Sequence, residues 1–85
     1  MEAGSEPDAE LVAAVQDRAH WSVEGVAAVF APPGTAATVR VVPVAGGGHR
    51  DRYRAIVVAG GRAQHSRPAG TAAEAVRWAE RISLG

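Results

Sequence analysis

The residues best equipped for chemistry in this sequence are arginines, and the chemistry open to them is the binding of anionic oxygen. Arg50, Arg52 and Arg54 recur at every second position, with His49 just before them and Arg62 and Arg67 downstream. A guanidinium presents five donors in a rigid fork that matches phosphate geometry, so this cluster points to a polyanion. On a strand, side chains two residues apart share a face at about 7 Å. Three like charges at that spacing call for acids or a polyanion opposite them.

Other chemistries find no constellation. His20, His49 and His65 place no two imidazoles on one helical turn, and no acidic partner recurs beside them in a metal-ligand pattern. Ser5, Ser22, Ser66 and Ser83 lack a nucleophile-elbow context. Gly46-Gly47-Gly48 joins two apolar runs, has no P-loop lysine and opens no helix. Cysteine is absent, which removes disulfides and thiolate ligands. The expectation is a protein that is not an enzyme, with no cofactor and no metal.

A net charge of zero conceals an asymmetry. Through Ala36 six acids face Arg18 alone, whereas from Ala37 onward eight arginines face Asp51, Glu74 and Glu80. Such a split suggests a half that faces a polyanion. The competing reading is that the two halves neutralise each other in the folded domain, with Glu6, Asp8, Glu10 or Asp17 lying over the arginine row.

The elements that must position these arginines run from Val39 to Ile82. Two apolar runs, Val39 to Val44 and Tyr53 to Ala59, flank the Gly-rich turn, and a third strand, Arg62 to Ser66, follows the two-residue hairpin signal Gly60-Gly61. Pro43 cannot donate to a ladder, so the first of these strands is expected at an edge. In the middle strand the period of two sets Tyr53, Ala55, Val57 and Ala59 toward the helices, and Arg50, Arg52, Arg54, Ile56 and Val58 on the opposite face. The register that decides the faces of the third strand stays open, because one residue of slip reverses it. Thr71 and Glu74 form a capping box for a last helix whose buried stripe is Ala72, Ala75, Val76, Ala79 and Ile82, with Trp78 at its border.

Upstream, residues 1–7 have no periodic apolar pattern and read as a disordered leader, with a single domain over 8–85. Asp8 caps a first helix whose stripe is Leu11, Val12, Val15 and Ala19. The stretch from His20 to Gly34 is ambiguous: Ser22 and Glu24 can open a short helix, while Val26, Val29 and Phe30 suit a strand equally well. Trp21 and Phe30 read as core plugs. The expected fold is therefore α+β, a three-stranded antiparallel sheet with an N-terminal and a C-terminal helix on one face (α-β-β-β-α). The acidic start lacks the order of a signal peptide and no run of about 18 apolar residues occurs, so a cytoplasmic protein with no membrane partner is expected.

From Gly46 onward the chain resembles the double-stranded RNA-binding domain, through Gly46 and His49, then Tyr53, Ala55, Val57 and Val58, the Gly60-Gly61 turn, and Thr71, Glu74, Ala75 and Ala79. The resemblance implies duplex RNA as partner, with His49 reaching a minor groove. It departs where that family carries a pair of lysines on the last helix, here Ala72 and Ala73. The segment GGRAQHSRPAGTAAEAVRWAE also looks like the end of the arm-type DNA-binding domains of phage integrases, which implies an open sheet face set into a major groove. Both resemblances imply a small module contacting double-stranded RNA or DNA through His49, Arg50, Arg52, Arg54, Arg62 and Arg67. The alternative is a protein-interaction or homodimerisation module of the same fold, whose interface is Ile56 and Val58 on the face the helices leave open.

Overall fold

The structure, a computed structural model, describes residues 8–45, 48 and 51–84. The expected leader, Gly46, Gly47, His49 and Arg50 lie outside the described residues. The elements are α1 (Ala9–Val15), β1 (Trp21–Glu24), β2 (Ala27–Phe30), β3 (Thr38–Pro43), β4 (Tyr53–Ala59), β5 (Arg62–Ala69) and α2 (Ala72–Leu84). The strands form one antiparallel sheet in chain order.

The α+β class stands, but the expected three-stranded sheet is wrong, because the ambiguous stretch folds as a β1–β2 hairpin. Trp21 pairs with Phe30 and Glu24 with Ala27, leaving Gly25-Val26 as a two-residue loop. Gly25 has φ 61°, the left-handed region that the first position of such a loop requires and that a side chain resists. A helix through Ser22 to Phe30 would bury the same valines but leave Gly25 in its interior.

The extra hairpin also overturns the expected edge. β3 is internal, yet its pairing with β2 covers only Val39 to Val41, so Pro43 lies beyond the end of β2 and interrupts no bond on that side. The edges are β1 and β5. β5 runs to Ala69, three residues past the expected end, because Arg67, Pro68 and Ala69 continue the ladder opposite Ala55, Arg54 and Tyr53. At the other hairpin Gly60 and Gly61 both have positive φ, the primed turn their sequence signals.

Both helices cover one face. Leu11 and Val15 of α1 and Ala72, Ala75, Val76 and Ala79 of α2 close over Ala28, Phe30, Val39, Val41, Tyr53, Ala55 and Ala69. The alanines let α2 lie close to the sheet. Two expected stripe positions fail: Ala19 is exposed because α1 stops at Val15, and Ile82 is 41% exposed because α2 has by then run past the core. Thr71 Oγ1 accepts from Glu74 N at 3.1 Å, while the Glu74 carboxylate accepts from Gly70 N at 3.3 Å, so the capping box reaches one residue further back than expected. No helix among the described residues is long and apolar enough to cross a membrane.

A polar joint ties the N-terminal helix to this core. Asp8 Oδ1 caps α1 by accepting from Leu11 N at 3.1 Å and also accepts from the Tyr53 hydroxyl at 2.8 Å. Glu10 accepts from Arg52 at 2.8 Å through one oxygen and from Ala72 N, the first amide of α2, at 3.0 Å through the other. One turn of α1 thus holds β4 and the start of α2 together.

Candidate nucleic-acid interface

The arginine row expected on the open sheet face does not form. β4 begins at Tyr53, so alternation does not carry back to Arg52, whose guanidinium lies 5.5 Å over the Tyr53 ring on the helix side and pairs with Glu10. Arg54 does face away from the helices, where Asp51 pairs with it at 3.3 Å. The acidic N-terminal segment neutralises Arg52, as one of the two readings of the charge split anticipates. Arg18 and Arg40 are paired as well, with Glu80 at 2.7 Å and Glu24 at 3.8 Å.

Four arginines make no ion pair among the described residues: Arg62, Arg67, Arg77 and Arg81. The fold gathers them. In β5, Arg67 pairs with Ala55 and His65 with Val57, which puts both on the helix-covered face, at its outer margin. Gln64 is the extra residue of a bulge between Val57 and Val58, and beyond it Arg62 pairs with Ala59, again a helix-side position of β4. From α2 come Glu74, Arg77, Trp78 and Arg81, spaced i, i+3, i+4 and i+7 and so on one stripe.

Arg67, Glu74, Arg77, Trp78 and Arg81 line a groove of about 180 Å³ between β5 and α2. Its half-buried aromatic floor is Trp78, stacked on exposed His65 at 6.0 Å between centroids. Arg77 and Arg81 are i, i+4 neighbours on α2, so two like charges share one wall of the groove. Glu74, the one acid among the described residues that line the groove, is tied to the Gly70 amide.

A second, larger cleft of about 470 Å³ lies on the first-hairpin side of α2, among Asp17, Arg18, Ala19, His20, Phe30, Pro33 and Glu80. Its Arg18 and Glu80 serve internal contacts: Glu80 accepts from Arg18 at 2.7 Å and from the Trp21 indole at 2.9 Å, and Trp21 stacks on Phe30 at 5.0 Å. Spent in this way, they read as a joint between α2 and the first hairpin. Among the described residues no three of His, Cys, Asp and Glu gather as a metal site.

Of the residues expected to contact nucleic acid, the structure brings Arg67 into the groove, sets Arg62 on the same side of β5, pairs Arg52 with Glu10 and puts Arg54 on the opposite face with Asp51. Ile56 and Val58 lie on the open face, as expected, and remain half-buried there. Arg77, Arg81, His65 and Trp78 were not among the expected contacts. Their signal was the R-W-x-x-R spacing on one helical stripe. Comparison of the chain with family models, curated proteins and solved structures finds no match to any of them.

Proposed function

We propose that this protein is a small non-enzymatic module that binds double-stranded nucleic acid, and that its phosphate contacts are made by the β5–α2 groove and its extension along β5. The observation that carries this is the line of arginines, without ion pairs among the described residues, from Arg62 through Arg67 to Arg77 and Arg81. Five residues of strand separate Arg62 from Arg67, about 17 Å, so the cations span more than one phosphate and suit a chain of anions better than a single ion. An aromatic among them offers a face for a base or sugar. The segment that resembles nucleic-acid-binding domains also includes β5 and α2, which supports the same surface.

The test is titration of fluorescently labelled duplex RNA and duplex DNA at about 50 and about 200 mM salt. With three phosphate contacts the affinity for DNA falls roughly 40-fold between those concentrations, and Arg77→Ala or Arg81→Ala each lowers the log–log salt slope by about 0.9. Arg52→Ala leaves the slope unchanged. Absence of binding to either duplex at low salt refutes the proposal.

A further inference from the structure

The face of the sheet away from the helices has a chemistry unlike the groove. Alternation and register place Val29 of β2, Arg40 and Val42 of β3, Arg54, Ile56 and Val58 of β4, and Ser66 and Pro68 of β5 on it. Val42, Ile56 and Val58 are half-buried though no helix covers them, and none belongs to the core under the helices. The charges are balanced and stand around the apolar centre: Arg40 with Glu24, and Arg54 with Asp51. Among the described residues this face carries no net charge and so does not attract a polyanion. Its partner must be apolar at the middle and balanced in charge, and the same face on another molecule meets both conditions.

We infer that a second copy of this chain docks on the open sheet face, giving a two-fold sandwich with the sheets inside and the helices outside. Sheets pack face to face at about 10 Å with strands nearly aligned, and the β-branched centre of Val42, Ile56 and Val58 suits that arrangement. The area decides how strong the association is. Five strands at about 4.8 Å spacing and about 20 Å of central strand give on the order of 450 Å² per copy. The pair therefore buries about 900 Å², near the lower bound for specific association and in the range of weak, transient dimers. The helices, and with them the β5–α2 groove, stay on the outside, so dimerisation and nucleic-acid binding are separable.

Sedimentation of the full chain from about 10 µM to about 1 mM tests this, since a weak dimer populates across that range. The expected result is a mass that rises from one chain toward two. Ile56→Asp holds it at one chain. So does Ser66→Arg, which adds bulk and charge opposite Ile56 at an already exposed position and therefore leaves the monomer's fold, checked by circular dichroism, intact. Arg77→Ala leaves the dimer unchanged. A wild-type chain that stays monomeric at the highest concentration overturns the inference, as does a dimer that survives Ser66→Arg. Neither result bears on duplex binding, which is read separately by the salt titration.

Discussion

Tyr53→Phe isolates the joint between α1 and the core, and its effect should change sign with pH. The ring is 2% exposed, and phenylalanine keeps its packing, so the variant loses only the hydroxyl. That hydroxyl donates to the Asp8 carboxylate at 2.8 Å, and a hydrogen bond to a charged acceptor contributes about 1.5–3 kcal/mol. Asp8 is half-buried and keeps its bond from Leu11 N, so it is not stranded, and the lower figure, about 1.5 kcal/mol, applies at pH 7. For a domain of this size that is a fall in Tm of roughly 6–12 °C. Burial first, and then the Asp8 carboxylate, push the hydroxyl above its ordinary value of 10.0. The unfolded chain therefore ionises near pH 10 while the folded chain stays neutral. The native state then holds the extra proton, and wild-type stability falls by about 1.4 kcal/mol per pH unit above that point. Phenylalanine has no such slope. The two proteins should be equally stable near pH 11, about one unit above the unfolded value, with the variant the more stable beyond it. Urea melts at pH 7, 10 and 11 measure the difference, and because Tyr53 is the one tyrosine of the chain, phenolate absorbance reports its titration directly. Equal stability at pH 7, or a gap that does not narrow in alkali, would refute the reasoning.

Three further outcomes are expected. Arg52→Ala lowers stability by less than about 1 kcal/mol, because its pair with Glu10 is roughly half exposed, and it leaves duplex affinity unchanged; a loss of affinity in the titration would return Arg52 to the binding surface. Glu10 is held below its ordinary value of 4.5, first by the Ala72 amide and then by Arg52, so its contribution is present above that pH and is lost as the pH falls through the lower folded value. Glu10→Gln should flatten the acid limb of stability against pH, and an unchanged limb would remove Glu10 from the joint. Gly25→Ala meets no atom within 4 Å, so its cost of about 1–2 kcal/mol is that of a left-handed backbone alone; a thermal melt unchanged from wild type would contradict the hairpin.

The parts legible in the sequence were those with a clean period or a named turn. Tyr53 and Ala55 alternate with Arg54 and Ile56 as expected, the Gly60-Gly61 hairpin is where its glycines put it, and Thr71 caps α2. The first hairpin was not legible because its strands are four residues each: the Trp21-Ser22-Val23-Glu24 alternation of β1 is too short to set a period, and the A-A-V-F of β2, buried throughout, has no polar position to mark one. Its signal was Gly25 ahead of a single residue between the alternating W-S-V-E and the apolar A-A-V-F. The groove was hidden by register. Until the ladder is known to run on to Ala69, with a bulge at Gln64, nothing tells whether Arg67 and His65 stand with the helices or against them. The arginine row fails for a related reason: the expected period of two extends through Arg52 to Arg50, before the start of β4, and at Arg52 a contact from a distant helix decides the side.

The joint formed by Asp8 and Glu10 also bears on the order in which the domain assembles. Seven residues are too few for α1 to persist alone in water, and its partners Tyr53 and Ala72 lie 45 and 62 positions further along the chain. The strands, by contrast, are joined in chain order by near neighbours and need only short loops to close. Pairing of the sheet should then precede docking of α1, whose loop costs the most entropy and whose bonds arrive last. The native state should open by the same route, with the chain's first turn lifting off while the central strands stay closed. Hydrogen exchange can check this: the Leu11 and Val12 amides should lose protection at lower free energy than those of Val39 and Val41, and equal values would mean that α1 leaves only with the whole domain.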